Sequence, residues 1–179
     1  MKIGIAGAGG IGSNVAANLV RSGVTSLKIV DFDRVESSNL NRQFYFSDQI
    51  GYLKVEMLAN NLRRIRGDIC IEIETTRIDA LNCSALFNDC PLVVEGFDRS
   101  TDKKILLETL ADDGRIIVSA CGIAGHNIED IRVRQMGNCF IAGDFLSDCA
   151  QAPLFAHKVL AVAGRMTDII LRQGGFYDR

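Results

Sequence analysis

The amino-terminal segment constrains the fold of this chain more than any other stretch. A short apolar run at residues 2–6 leads directly into the glycine-rich turn Gly7-Ala8-Gly9-Gly10-Ile11-Gly12. Small and apolar residues then recur at helical spacing over residues 13–21. A strand, a glycine turn and a helix in this order form a phosphate-binding unit, because glycine lets the backbone approach a ligand and the helix points free N–H groups at an anion. We therefore predict a nucleotide site at this turn, in preference to a tight turn with a structural role only.

Asp31 stands where a nucleotide-binding chain places its ribose contact. Residues 26–31 form a second apolar run that fits a buried parallel strand, and Asp31 ends it, roughly twenty residues after the glycine turn. Its carboxylate would face the crevice at the end of the sheet and accept hydrogen bonds from ribose hydroxyls. A helix cap or a solvated strand end is the alternative interpretation.

The segment 33–50 interrupts the alternation of strands and helices. It shows neither the period of a helix nor that of a strand, and a loop of this length inside a compact domain is usually functional. Asn39, Asn41, Arg42 and Gln43 precede an aromatic cluster, Phe44-Tyr45-Phe46. We expect the amides and the guanidinium to hold polyphosphate oxygens while the aromatic rings fix the loop to the domain. A surface loop with an aromatic anchor is the alternative.

Two further positions suggest a bound triphosphate. A helix with one apolar face is predicted over residues 51–66, and Lys54 lies in its first turn, where a cation is disfavoured unless an anion is in front of it. A strand at residues 91–95 leads into Glu95-Gly96-Phe97-Asp98, which brings two carboxylates to the edge of the sheet where ligands bind. Facing a triphosphate, such a carboxylate would hold Mg²⁺. The alternative is a cap for the following helix, which Asp98 or Ser100 could equally provide.

The remaining segments complete an α/β pattern. Further strands are predicted at residues 69–75 and 115–120, with a more exposed one at 130–135, and further helices at 82–89, at 100–110 and from Pro153 to about Gly174. Residues 137–152 are expected to be irregular. We predict a doubly wound α/β fold with a mixed, mostly parallel sheet, in a single domain that covers residues 1–179.

The composition disfavours several classes of function. The net charge of −2 gives no indication of a nucleic-acid surface, and no run approaches the roughly 20 apolar residues that a membrane span needs. The first strand starts at the amino terminus with no leader before it, so we expect a cytoplasmic protein. The 6 cysteines form no Cys-x-x-Cys pair. We expect reduced thiols and no zinc site.

Taken together, the motifs resemble the ThiF/MoeB/ubiquitin-activating superfamily. The resemblance rests on Gly-x-Gly-Gly-x-Gly-Ser at residues 7–13, Asp31-Phe32-Asp33, Ser38-Asn39-Leu40-Asn41-Arg42-Gln43, Ile50-Gly51-x-x-Lys54, and Val94-Glu95-Gly96-Phe97-Asp98. It is strongest to the short ThiF-type sulfur carrier protein adenylyltransferases and covers nearly the whole chain. It implies a Rossmann-like homodimer that uses ATP to activate the C-terminal glycine carboxylate of a small ubiquitin-like sulfur carrier protein ending in Gly-Gly, in thiamine (thiazole) biosynthesis.

The resemblance also implies roles for individual residues. Arg42, Lys54 and Asp98 would be catalytic, and Asp98 would hold the Mg²⁺. The nucleotide-binding set would be Gly7, Gly9, Gly10, Gly12, Asp31, Asp33, Ser38, Asn39, Arg42, Gln43, Lys54 and Asp98. The chain departs from the superfamily at Arg99, where relatives often have asparagine. Cys139 and Cys149 lie in the stretch where some relatives attach the carrier covalently.

Three other functions fit part of the pattern. A nicotinamide-dependent (NAD) oxidoreductase would share the glycine turn and Asp31, but it leaves the 33–50 loop and Lys54 without a purpose. A non-catalytic module would bind nucleotide or carrier at the same residues but would not catalyse adenylation. Activation of a tRNA base, which occurs within the superfamily, is disfavoured by the net charge of −2 and the lack of a basic tract.

Overall fold

The computed structural model describes residues 1–177, with helices on both faces of one sheet. The strands are β1 Ile3–Ala6, β2 Ser26–Val30, β3 Cys70–Glu74, β4 Leu92–Glu95, β5 Ile116–Ala120, β6 Arg132–Met136 and β7 Cys139–Gly143. The α-helices are α1 Gly10–Arg21, α2 Lys54–Ile65, α3 Cys83–Leu86, α4 Ser100–Leu110 and α5 Ala156–Gln173. Within these residues, no helix combines the length and the apolar character needed to cross a membrane.

The strands lie across the sheet in the order β3-β2-β1-β4-β5-β7-β6. Neighbouring strands are parallel except β6, which is antiparallel to β7. The chain starts at β1 in the middle of the sheet, runs outward to β3, and then returns to β4 and runs outward on the other side. The winding therefore reverses between β1 and β4, and a crevice forms at the carboxyl ends of these two strands. The predicted doubly wound, mostly parallel α/β fold is confirmed.

Both faces of the sheet are buried, which explains the continuous apolar runs of its central strands. Leu92 and Val94 of β4 join a core with α1, α2 and α5, whereas Val93 joins a second core with α3 and α4. The second core also explains a small residue in β1. A Cβ at Gly4 would lie 2.6 Å from Cδ1 of the buried Phe87 ring, so the ring packs directly against the strand backbone.

Strand β7 shows that the expectation of an irregular segment at 137–152 was wrong. It pairs in parallel with β5 and forms a hairpin with β6, in which Met136 faces Cys139. The hairpin turn is Gly137-Asn138, with Gly137 at φ 57°, a connection that favours glycine and asparagine. The insertion of β7 between β5 and β6 depends on long-range pairing, which local sequence specifies weakly.

Two helices are shorter than predicted. Helix α5 begins at Ala156 because the residues before it contact the chain after β5: the Gly125 N–H donates to the Pro153 carbonyl at 2.8 Å, and Gly125 forms a β-bridge with Leu154. The helix predicted at 82–89 is reduced to the single turn of α3. The other predicted helices and strands are present, with ends that differ by a few residues.

Candidate nucleotide site

A cavity lies at the carboxyl ends of β1, β2 and β4, where the winding of the sheet reverses. Nine of the predicted site residues line it: Gly7, Gly9, Gly10, Asp31, Asp33, Arg42, Gln43, Lys54 and Asp98. The other three, Gly12, Ser38 and Asn39, do not line it. Residues from five separate stretches of sequence therefore meet in one place.

The glycine turn brings the backbone itself to the floor of the cavity. Gly7 adopts φ 89°, and a Cβ there would lie 3.1 Å from the Gly96 carbonyl carbon. Gly12 faces inward, where a Cβ would lie only 1.8 Å from the Gly7 carbonyl oxygen. Helix α1 begins inside the turn, at Gly10, with Gly9 as its N-cap and no side-chain cap. Its first N–H groups are thus available to an anion in the cavity.

Asp31 organises the turn as well as lining the cavity. Its carboxylate accepts the Ala8 N–H at 2.6 Å through Oδ2 and the Asp33 N–H at 2.7 Å through Oδ1. The hydroxyl of Tyr45 donates to the Ala8 carbonyl at 2.7 Å, so Ala8 is held at both of its backbone polar groups. Burial raises the pKa of the Asp31 carboxyl, although the two N–H groups favour its ionised form.

Lys54 is the first residue of α2 and is 7 % exposed. Its Nζ lies 3.0 Å from Oδ2 of Asp33, and its backbone N–H donates to the Asp33 carbonyl at 2.9 Å. The anion expected in front of this helix is therefore supplied in part by the chain itself. Both side chains still line the cavity, where Lys54 can also contact a bound phosphate.

The 33–50 loop delivers Arg42 and Gln43 to the cavity, and buried polar side chains of α1 and α2 hold it in place. Asn14 Nδ2 donates to the Arg42 carbonyl at 2.8 Å, and Ser13 Oγ accepts the Phe44 N–H at 3.0 Å. Asn61 Nδ2 donates to the Phe44 carbonyl at 2.9 Å. Sequence reasoning missed these anchors. A polar residue on the apolar face of a predicted helix is the signal that could have revealed them.

The three aromatic residues of this loop differ in how deeply they are buried. Tyr45 is buried under the glycine turn, as expected for an anchor, and Phe44 is half-buried. Phe46 is 46 % exposed and meets Phe44 edge-on, with ring centroids 5.9 Å apart. The loop is thus fixed mainly by one aromatic ring and by the buried amides.

Ser38 and Asn39 support the loop from outside the cavity. Oδ1 of Asn39 accepts the Glu36 N–H at 3.0 Å and closes the 3₁₀ turn Ser37–Asn39. The Ser38 carbonyl accepts from Nη1 of Arg42 at 2.9 Å. In this arrangement both residues position Arg42.

Gln43 lies beside the glycine turn, with Nε2 4.0 Å from where a Gly9 Cβ would stand. Its Oε1 is buried and has no hydrogen-bond partner within residues 1–177. A buried acceptor without a donor is costly. The atom is therefore placed to receive a hydrogen bond from a ligand hydroxyl.

The two carboxylates after β4 have different surroundings. Glu95 is fully buried: it accepts the Phe97 N–H at 2.8 Å and the Ser119 hydroxyl at 2.5 Å, and it forms an ion pair with Lys103. It therefore holds the turn that leads to Asp98 and is not available to a metal ion. Asp98 is exposed and lines the cavity, and within residues 1–177 its carboxylate has no hydrogen bond or ion pair. Helix α4 has Arg99 as its N-cap without a side-chain cap, so the alternative capping role of Asp98 is not observed.

Several lining residues were not predicted from the sequence. They include Phe32, Thr76, Arg77, Ile78, Phe97, Arg99, Asp102, Ile123, Leu154 and Val159. Ile78 and Phe97 follow β3 and β4, so their position after a parallel strand was a usable signal. Val159 lies in the first turn of α5 and Leu154 just before the helix, and only the tertiary packing of this part of the chain brings them to the cavity.

The model of the ThiF family matches residues 1–177. The chain belongs to the ThiF family. Relatives include ubiquitin-like modifier-activating enzyme 5 of Drosophila grimshawi, 41 % identical over 80 residues, which are 45 % of this chain and 20 % of the relative. Another is adenylyltransferase and sulfurtransferase UBA4 of Candida glabrata, 28 % identical over 141 residues, which are 78 % of this chain and 33 % of the relative. The matches thus span between a fifth and a third of the length of these relatives.

Solved structures share the fold of this ThiF-family chain. Escherichia coli tRNA N6-threonylcarbamoyladenosine dehydratase, in complex with AMP, superposes with a TM-score of 0.83 at 17 % identity over 97 % of this chain and 87 % of that one. HcgE of Methanothermobacter marburgensis, bound to guanylylpyridinol and ATP, gives 0.77 at 18 % identity over 96 % of this chain and 93 % of that one. Both likenesses extend over nearly the whole chain, and both structures contain an adenine nucleotide.

Proposed function

We propose that this chain is an ATP-dependent adenylyltransferase that activates the C-terminal glycine carboxylate of a small ubiquitin-like sulfur carrier protein ending in Gly-Gly. One observation carries the proposal: the glycine turn, Arg42, Lys54 and an unpaired Asp98 converge on one cavity. Family membership and the names of the relatives support it, since one relative activates ubiquitin-like modifiers and another is named as an adenylyltransferase. We assign residues 1–179 to one adenylating domain.

The cavity offers a subsite for each part of ATP. The phosphates would lie against the start of α1, where Arg42 packs so close that its Cγ is 3.7 Å from the position of a Gly10 Cβ. Asp31 and the unsatisfied Oε1 of Gln43 would accept hydrogen bonds from ribose hydroxyls. The apolar side chains of Ile78 and Phe97 would cover the base.

Asp98 is suited to binding Mg²⁺ together with substrate phosphates, and less suited to a metal site formed by protein side chains alone. Within residues 1–177 no group of three or more His, Cys, Asp or Glu side chains could hold a metal. Mg²⁺ does not need one, because it is commonly bound by one or two carboxylates together with waters and substrate phosphates. Held at Asp98, it would neutralise charge on the phosphate oxygens.

The proposed reaction requires no protein nucleophile. The carrier carboxylate attacks the α-phosphate, the bond to the β-phosphate oxygen breaks, and carrier acyl-adenylate and pyrophosphate are formed. Negative charge accumulates on phosphate oxygens as the pyrophosphate leaves. Arg42 and Lys54 would stabilise that charge, and the rigid glycine turn would hold the α-phosphate in line with the attacking oxygen.

Thiamine (thiazole) biosynthesis is the pathway we propose, because the Ser-Asn-Leu-Asn-Arg-Gln block and its flanking motifs most resemble short ThiF-type enzymes. The fold also occurs in proteins of other purposes, such as the tRNA N6-threonylcarbamoyladenosine dehydratase named above. The chain's net charge of −2 gives no support for a tRNA substrate.

The test is ATP–pyrophosphate exchange that depends on a purified ubiquitin-like sulfur carrier ending in Gly-Gly. We expect exchange with the intact carrier and none with a carrier lacking its last glycine. Asp98→Ala should reduce the exchange rate by about a hundredfold or more, because several kcal/mol of transition-state stabilisation are lost. Asp68→Ala, which removes an exposed aspartate outside the cavity, is the matched control and should leave the rate unchanged.

A double variant, Cys139→Ser with Cys149→Ser, separates adenylation from any later covalent step. Cys149 is exposed and Cys139 half-buried, and burial raises the pKa of both thiols. Exchange should survive in this variant. Exchange lost in the cysteine variant but kept in Asp98→Ala would contradict the mechanism. Tighter binding of NAD than of ATP–Mg²⁺ in calorimetric titration would favour an oxidoreductase. ATP binding without exchange would favour a non-catalytic module.

A further inference from the structure

Four basic side chains line the nucleotide cavity, and three of them have partners within the chain. Lys54 pairs with Asp33 at 3.0 Å, and Arg77 with Asp102 at 3.6 Å. Nη1 of the third, Arg42, donates at 2.9 Å to the backbone carbonyl of Ser38 and to the side chain of Asn41.

Arg99 is different. Its side chain lines the same cavity, and within residues 1–177 it makes no hydrogen bond and no ion pair. Since the acidic side chains Asp33 and Asp102 are already paired with other cations, the guanidinium of Arg99 is left free to bind a ligand anion.

The position of Arg99 in the backbone is also unfavourable for a cation. Arg99 is the N-cap of α4, and the helix has no side-chain cap. A guanidinium has no acceptor atom, so it cannot bind the free N–H groups of the first turn, and its charge is repelled by the positive end of the helix. A serine or aspartate would stabilise the helix better at this place. An external anion would relieve the repulsion.

We propose that Arg99 binds the β- and γ-phosphates of ATP, the part of the substrate that leaves as pyrophosphate. This rests on the proposed function. The planar guanidinium matches pairs of phosphate oxygens, whereas the base would be covered by apolar side chains such as Ile78 and Phe97. Arg99 also follows Asp98 directly, and Asp98 is the residue that would hold Mg²⁺, which would neutralise charge on the phosphates.

The test compares the affinities for ATP and for AMP, each with Mg²⁺, by isothermal titration calorimetry. In Arg99→Ser we expect the Kd for ATP to rise about tenfold or more, while the Kd for AMP stays within about twofold. Lys104→Ala is the matched control: it removes a positive charge from the same helix, at an exposed position paired with Glu108 outside the cavity. It should leave both affinities unchanged.

Thermal unfolding without nucleotide provides a second readout. Because serine caps a helix and arginine does not, Arg99→Ser should raise Tm by about 2–4 °C even as it weakens ATP binding. If Arg99 had only a structural role, Arg99→Ser would lower Tm, or it would leave ATP binding unchanged.

Each result decides the proposal. Equal losses of ATP and AMP affinity would place Arg99 at the nucleoside or the α-phosphate, and unchanged affinities would remove it from the site; either overturns the inference. Wild-type protein that binds no ATP would overturn the proposed function as well. ATP binding that depends on Arg99, without carrier-dependent exchange, would overturn the proposed function alone.

Discussion

At Gly12 the glycine turn leaves no room for a side chain. A Cβ there would lie 1.8 Å from the Gly7 carbonyl oxygen, so the backbone would have to shift at a place where Gly7 is also packed closely against Gly96. We expect Gly12→Ala to lower the free energy of unfolding by more than about 2 kcal/mol in urea titrations. Gly67→Ala is the control, since nothing lies within 4 Å of that position, and it should change stability by less than about 0.5 kcal/mol. Similar stabilities for the two variants would contradict this account.

Individual site residues could be predicted from the sequence where they directly follow a predicted strand. Gly7, Asp31 and Asp98 each follow a parallel strand, and the carboxyl ends of such strands meet at one edge of the sheet. Glu95 shares that position but is fully buried. Its burial depends on Lys103 and Ser119, which lie on other elements, so its structural role could not be foreseen from the strand itself.

Among the secondary-structure elements, α5 is joined to the sheet by a buried ion pair. Lys158 Nζ lies 2.5 Å from Asp144 Oδ2, just beyond β7, and donates to the Ala124 carbonyl, just beyond β5. Burial opposes ionisation of Asp144, but hydrogen bonds from Lys158, Ser147 and Leu146 hold the pKa of its carboxyl well below the usual range. The pair therefore holds the wall of the cavity that Ile123 contributes.

Asp144→Asn should lower the free energy of unfolding by about 3 kcal/mol or more at pH 7, because it leaves the Lys158 charge buried without a counter-charge. Since the folded pKa of Asp144 lies below the unfolded value, its stabilisation is present above about pH 4 and is lost as the pH falls further. Urea titrations at pH 7, 5 and 3 should show the difference between wild type and variant shrinking only at pH 3. A constant difference would show that the charge of Asp144 is not what stabilises the fold. Asp68→Asn, at an exposed pair, is the control.

Elements defined by a local apolar period were predicted, and those defined by distant contacts were not. Strands β1, β2 and β4 and helices α1 and α2 have patterns that decide their type locally. Strand β7 is stabilised by pairing with β5, and the start of α5 is set by the contact between Gly125 and Leu154. The Gly137-Asn138 turn was a usable hairpin signal that the prediction did not weigh.

At the scale of the whole molecule, the cavity is assembled from stretches that are far apart in the chain. The glycine turn and Leu154 line the same space although nearly the whole sequence separates them. Residues at the ends of strands were therefore predicted as one site, whereas the wall formed by Ile123, Leu154 and Val159 required the packing of α5 on α1 and β5. The resemblance to a known superfamily implied the chemistry of the site but not this wall.

The last prediction concerns assembly. Most apolar residues of α5, including Val159, Met166 and Ile170, are used in the core of the subunit, but Leu160 remains 46 % exposed on the outer face of the helix. We expect a homodimer in light scattering at high micromolar concentration, with this face contributing, so that Leu160→Asp shifts the mass toward the monomer. Leu81→Asp, at a side chain 95 % exposed in the turn before α3, is the control and should keep the dimer. A monomeric wild type would refute the dimer. An aspartate at the centre of a buried contact leaves a charge without water or partner. A dimer that persists in Leu160→Asp would therefore show that the interface lies on another surface.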